Sequence, residues 1–337
     1  MKPGSPRRLH PLLVWNRVTL AVILLLVLAG GIVRSSGSGM GCPDWPLCFG
    51  QWIPPLEESE LPANYQEIYA ERGYKDTRFN AVKTWTEYLN RLLGALTGIM
   101  VLVQAVWAIR CYVFAKSAAS EKVASGRPVT GRVLGWALLA LLLVLVQGGV
   151  GAWVVAAHLE GSVVTLHLGL AWVLMAVQLW MGTAMGHRGQ MPPSEGSRVS
   201  ALDFAGLGLW LLLLLGQLFL GARVRELVDT WMPDYATEVF SLGSLGEAYL
   251  WHKNVWMLLM LAGVFLGYRQ WTVYADREAR VWSALTLVFL GLQVLSGVWM
   301  ALWSLPPLPR TLHIVLGSLT LVAALGWWTR LRYLRVR

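Results

Sequence analysis

Apolar residues along this chain come in unbroken runs rather than alternating or forming one-sided stripes. Eight stretches, roughly 13–33, 86–110, 133–155, 162–185, 203–222, 248–268, 281–303 and 311–329, are nearly free of charge and long enough to cross a bilayer as helices, which takes about 20 residues each. Backbone in lipid has to satisfy its own hydrogen bonds, so each run is predicted to be helical. The expectation is an all-α integral membrane protein with eight transmembrane helices. An even number of spans puts both termini on one side.

The polar residues that punctuate these runs follow a pattern that occurs twice. Gln147, Gly151, Trp153, Leu159, Thr165, Leu166 and His167 recur 146 residues later as Gln293, Gly297, Trp299, Leu305, Thr311, Leu312 and His313, seven identities in 21 aligned positions. Gly31-Ile32-Val33-Arg34, ending the first span, matches Ala222-Arg223-Val224-Arg225, ending the fifth. Leu89-Asn90-Arg91 aligns with Trp251-His252-Lys253. The duplication predicts two pseudo-symmetric four-helix bundles, residues 1–190 with a long outer loop and residues 191–337. Their boundary is expected near Gly186–Arg198, which contains Pro192, Pro193, Gly196 and basic residues.

Composition agrees, at 56% hydrophobic and 14% charged. The net charge of +9 raises nucleic-acid binding as an option, and its distribution removes it. With the N-terminus inside, the inner side carries +13 and the outer side −4, the bias expected of cytoplasmic termini. The first apolar run is too long for a signal-peptide core and is read as an uncleaved span.

Cys42 and Cys48 then fall in the outer loop, where an oxidising compartment predicts a disulfide, as a structural staple or as a redox-active pair. Cys111, near the inner end of the second span, reads as an ordinary buried or interfacial thiol. The outer loop itself is roughly 50 residues long, and loops of that length are usually covers or disordered. Its Tyr-rich segment Asn64–Tyr69 favours an ordered cover with a short helix.

The six histidines divide by position. His10 and His187 lie on the inner, basic side and read as solvated; His158 lies in an outer turn, where it could be exposed or approach a cofactor edge, and exposure is the favoured reading. His167, His252 and His313 each sit within about two turns of the outer end of an even-numbered span. One histidine in a span is commonly a satisfied core residue. Three of four repeat-equivalent slots at one depth form the pattern that axial haem ligation needs. His252 and His313 make a complete pair in the second half, whereas His167 faces Asn90 in the first. Haem carboxylates need cations if buried. Arg34 and Arg225 are the first candidates and Arg91, Lys253 and Arg310 weaker ones, unless all merely anchor span ends at headgroups. Glu87 shares a helix face with Asn90 one turn away, and an acid there is expected to be functional unless it is simply solvated at the span edge.

At these residues the chain resembles the haem A synthase family. The resemblance rests on the Gly-Gly-x-Val-Arg ending of the first span, the Cys pair followed by Gly50-Gln51-Trp52-Ile53-Pro54, the Glu-x-x-Asn-Arg opening of the second span, and histidines in spans 4, 6 and 8. It implies oxidation of the C8 methyl of haem O to a formyl, giving haem A for terminal oxidases. It also implies a resident haem B on His252 and His313 with Arg225, a substrate haem at His167, Asn90, Arg34 and Arg91, and Glu87 as the required acid. The implied location is the bacterial inner membrane with the Cys pair outside. The implied partners are membrane lipid, haem O synthase, oxidase assembly factors and an electron acceptor the sequence does not name. Many members carry histidine where this chain has Asn90; asparagine is a poor iron ligand, which leaves a five-coordinate first site or another ligand. Two other classes compete. A di-haem b-type electron carrier needs complete ligand pairs in both halves, against which Asn90 argues. A transporter is expected to have helices broken near mid-membrane, whereas these polar residues cluster at one outer depth.

Overall fold

The computed structural model describes residues 11–118, 129–186, 199–231, 246–303 and 305–336. Its α-helices are α1 (Pro11–Ser35), the short α2 (Tyr65–Ile68), α3 (Ala81–Ala118), α4 (Gly131–Ala156), α5 (Gly161–Gly186), α6 (Ala201–Trp231), α7 (Gly246–Val273), α8 (Arg277–Leu302) and α9 (Pro307–Val336). All but α2 are long and apolar enough to cross a membrane, so the described residues hold the eight spans that the apolar runs predict. His10, His187 and most of the expected boundary between the halves lie outside the described residues.

Several helices overrun their apolar stretches, because apolarity marks only the hydrocarbon slab while backbone hydrogen bonding continues until something caps it. Asn80 Oδ1 accepts the Lys83 N–H at 3.0 Å and so begins α3 ahead of residue 86. Ser200 Oγ accepts the Asp203 N–H at 3.0 Å and donates to its carboxylate at 2.8 Å, starting α6. At its other end α6 runs beyond Arg225 to Trp231.

The packing order closes two rings. In the first, α1 packs on α3, α3 on α4, α4 on α5 and α5 back on α1; in the second, α6, α7, α8 and α9 do the same. The diagonals are therefore α3 with α5 and α7 with α9. The rings join through α1 against α9, α5 against α6, and α5 against α9, as a pseudo-twofold axis requires of a duplicated unit. Trp172 on α5 and Ser318 on α9 occupy equivalent positions, and they meet across that axis, with the indole Nε1 donating to the hydroxyl at 3.0 Å. The junction is also the main core, with Met175, Leu207, Trp210, Leu214 and Trp327 almost fully buried.

The repeated Thr-Leu-His acquires its meaning at this junction. Two residues on a helix are a little over half a turn apart, so the threonine and the histidine face opposite ways. Thr311 on α9 donates to the Gly31 carbonyl of α1 at 3.2 Å and lies 2.8 Å from Ser35 Oγ, while Thr165 on α5 donates to Glu226 of α6 at 2.5 Å. Each threonine ties its helix to the other half and leaves the histidine for its own ring.

Polar fastenings close the ends of the rings remote from the histidines. Asn16 and Gln104 both donate to Gln178 Oε1, at 2.6 and 2.9 Å, joining α1, α3 and α5. Asp203 of α6 accepts from Arg269 of α7 at 2.6 and 2.9 Å, and from the Tyr274 hydroxyl. Along α7, Arg269 lies about 25 Å from His252 at 1.5 Å per residue, so these fastenings and the histidines belong to opposite faces of the membrane.

Candidate functional site

The four repeat-equivalent slots share one construction, in which the side chain of an even-numbered span lies against a glycine of the span before it. A Cβ added at Gly151 would stand 3.3 Å from His167 Cε1, at Gly221 2.8 Å from His252 Cε1, at Gly297 3.3 Å from His313 Cε1, and at Gly30 4.0 Å from Asn90 Oδ1. Any larger residue would push the imidazoles at least a few tenths of an ångström. Three glutamines brace the same places. Gln147 Nε2 donates to the His167 carbonyl and Gln217 Nε2 to the His252 carbonyl, both at 2.8 Å. At the third place it is the backbone carbonyl of Gln293 that lies 3.0 Å from His313 Nδ1.

In the second ring, His252 and His313 project from the diagonal helices α7 and α9 towards each other, with ring centroids 6.1 Å apart. That separation suits two imidazoles each placing a nitrogen about 2 Å from one metal between them. The Gln293 carbonyl can only accept, so His313 Nδ1 carries the proton and Nε2 keeps the lone pair for a ligand. Ser296 Oγ, 2.9 Å from the same Nδ1, donates its own proton to the Gln293 carbonyl at 2.7 Å. His252 Nδ1 is buried with no hydrogen-bond partner. Among the described residues no three His, Cys, Asp or Glu side chains gather as a metal-ion site. A metal held by this pair has to bring its remaining ligands with it, as a haem does.

In the first ring the diagonal helices α3 and α5 carry Asn90 and His167. Asn90 Oδ1 and His167 Nδ1 are both buried and lack a hydrogen-bond partner. His158, expected to be exposed, is exposed in the α4–α5 turn.

The outer loop folds over this ring as an ordered unit. Phe49 is its centre, in edge-to-face contact with Tyr65, Tyr69, Tyr74 and Phe79 at centroid distances of 5.2–6.3 Å. Cys42 and Cys48 are bonded to each other and fully buried beneath it. Gly41 is fixed by close approach, since a Cβ there would meet the Lys83 carbonyl oxygen at 2.5 Å. The Tyr74 hydroxyl donates to the Met40 and Gly41 carbonyls at 2.9 and 3.1 Å; burial, and then the nearby Glu87 charge, raise its pKa and keep it a neutral donor. Alkylation of the denatured protein without reductant should modify Cys111 and spare Cys42 and Cys48. Mass spectrometry that finds label on either of the pair would overturn the pairing.

Glu87 and Arg91 fasten this loop to α3. Glu87 Oε2 accepts the Cys42 N–H at 2.9 Å, and Oε1 accepts from Arg91 Nε at 3.1 Å and Nη2 at 2.5 Å. Arg91 also donates to the carbonyls of Asp44, Leu47 and Cys42 at 2.7, 2.9 and 3.2 Å. All five guanidinium N–H groups are thereby used. Arg91, expected among the residues that meet the substrate haem, has no donor left for a carboxylate in this arrangement. Glu87 is buried rather than solvated at the span edge.

The other cations differ from expectation as well. Arg34 and Arg225, expected to serve separate rings, converge on Asp229 at the junction; Arg34 pairs with it directly and Arg225 Nη1 stands 3.9 Å away. Arg225 also donates to the Gly161 carbonyl at 3.3 Å and keeps a buried Nε with no acceptor. Arg310 donates to the Ser35 carbonyl at 3.2 Å, and Lys253 lies over the Tyr249 ring. Asp229 escapes the sequence reading because it lies beyond the apolar run, 195 residues from Arg34. Gln147 and Gln293 are repeat identities whose role the sequence leaves open, and Gln217 has no repeat signal at all.

A family model described as "Cytochrome oxidase assembly protein", COX15-CtaA, matches residues 13–325. A protein of Rhodopseudomonas palustris (strain BisB5) named "Heme A synthase" is 29% identical over 335 residues, covering 94% of this chain and 84% of that one. Proteins of the same name from Sphingopyxis alaskensis and Nitrosospira multiformis are each 24% identical, covering 94% of this chain and 89% and 92% of their own lengths.

Proposed function

The chain belongs to the COX15-CtaA family and is a multi-pass membrane oxidoreductase of the haem A synthase kind, converting haem O to haem A for terminal oxidases, and we propose that its two rings divide the work. The second ring holds a permanent haem B, and the first binds the haem whose C8 methyl is oxidised to a formyl. The observation that supports this division is the unequal ligand set. His252 and His313 face each other at 6.1 Å, whereas the first ring offers His167 and the weak ligand Asn90.

In the second ring, His252 and His313 would hold the haem iron, and the Gln293 backbone carbonyl with Ser296 orients the His313 ring. The unpartnered Nε–H of Arg225 is the donor left for a propionate. A haem bound there supplies a redox centre beside the substrate ring. In the first ring, one strong and one weak ligand suit a molecule that has to enter and leave. Methyl oxidation releases protons and builds positive charge at carbon, and Glu87 sets a carboxylate one turn outward from Asn90 while holding the cover in place. The outer face, with the Cys pair, lies away from the cytoplasm, and both termini lie within it. Haem O synthase supplies the substrate, assembly factors of the oxidase take the product, and an electron acceptor in the membrane completes the reaction.

Asn90→His tests the division. It should convert the first-ring haem to a six-coordinate, low-spin spectrum and slow its release by an order of magnitude or more. If the spectrum and the release rate both stay as they are, Asn90 does not face the iron and the first ring is not the substrate site.

A further inference from the structure

A cavity of about 230 Å³ opens on the outer face above the first ring, between the end of α1, the start of α3 and the α4–α5 turn. Arg72, Arg78, Lys83 and His158 line it, all with exposed side chains, and no Asp or Glu joins them. Among the described residues no carboxylate stands within ion-pair distance of Arg72, Arg78 or Lys83. The N-terminus of α3 adds its own partial positive charge, since Asn80 and Lys83 belong to both the cap and the lining. A wholly basic concavity on the side of the molecule that is otherwise net acidic is built for an anion.

The helix geometry indicates which anion. Lys83 and Asn90 are seven residues apart on α3, so they share a face two turns, or about 10.5 Å, apart. A flat ring held at Asn90 and His167 with its acid arms pointing outward delivers those arms to Lys83. The cavity is smaller than the ~300–1,000 Å³ of pockets that enclose drug-sized ligands, which suits the acid arms and excludes a whole tetrapyrrole. The cations nearer the junction are committed, Arg91 to Glu87 and the loop carbonyls and Arg34 to Asp229.

We propose that this cavity binds the propionate carboxylates of the substrate haem, with Lys83 and Arg78 as its main contacts and Arg72 and His158 at its rim. The proposal rests on the reading of the first ring as the substrate site. It makes the cavity the feature that fixes which edge of the substrate points outward, and so which methyl is presented for oxidation.

The test uses the full-length protein already carrying its second-ring haem, titrated with haem O and with the dimethyl ester of haem O, in wild type and in Lys83→Ala/Arg78→Ala. Wild type should bind the diacid about tenfold or more tightly than the diester, as two charge-assisted contacts require. The double variant should bind both equally, with the second-ring spectrum unchanged as evidence of folding. A preference that survives in the variant, or none in wild type, overturns the proposal. So does native mass spectrometry showing an anionic phospholipid retained by wild type and lost by the variant, because the phosphate then occupies the cavity. A His167→Ala arm separates the two readings: a bound-haem spectrum that this substitution leaves unaltered defeats the first ring as the substrate site, whatever the diester comparison gives.

Discussion

Replacing His313 with alanine should remove the low-spin b-type spectrum of the purified protein entirely, and His252→Ala should do the same. On the proposed assignment each imidazole would be one of two strong-field ligands, and the two rings face each other from diagonal helices with centroids 6.1 Å apart. Losing either would leave the second ring with a single histidine to hold the iron. The remaining histidine cannot move to compensate, because its ring is wedged against Gly221 or Gly297 and its helix is braced by Gln217 or Gln293. Pyridine haemochrome analysis of each variant supplies the measurement. The contrast with His167→Ala is part of the expectation, since that substitution should leave the second-ring spectrum untouched. A low-spin b-type signal persisting in either His252→Ala or His313→Ala would overturn the ligand assignment.

The second large effect is expected at Glu87. Glu87→Gln should abolish haem A production while the second-ring haem remains. The neutral amide cannot balance Arg91, whose side chain is only 14% exposed, and breaking a buried pair on one side costs about 3–5 kcal/mol. It also replaces one acceptor of the Arg91 fork with a possible donor. Two consequences are separable by experiment. If the charge itself serves the reaction, turnover disappears while Cys42 and Cys48 stay protected from reductant. If the pair serves only to hold the cover, the disulfide becomes reducible and Arg91→Lys reproduces the defect, because an ammonium offers three donors where the fork supplies five. Normal haem A production in Glu87→Gln would exclude both roles.

Much of this architecture is legible in the sequence because lipid is a strict solvent. Charge-free runs have to be helices, and a polar side chain repeated at one depth has to have a reason, which is why His167, His252, His313 and Asn90 stand out unaided. The helix ends are less legible. Asn80 and Ser200 start helical hydrogen bonding at the interface, where hydropathy no longer reports. Arg91 shows a different blindness: three of its five bonds go to backbone carbonyls, which every residue has, so no side-chain pattern announces them. Asp229 is hidden for a third reason, as its partners lie on a helix made nearly two hundred residues earlier and on its own helix beyond the apolar run. The basic cavity is assembled from α3, an outer turn and two parts of the outer loop, and only folding brings those cations together.

The threonine ties across the junction also set an order of events during synthesis. Helix α1 leaves the ribosome well before α9, yet Gly31 and Ser35 of α1 find their partner in Thr311 of α9. The first ring closes on its own four helices, but the side of α1 that meets α9 stays uncovered until α9 is inserted beside it. What waits for the end of synthesis is the seam between the rings, completed only when α9, which carries His313, is in place.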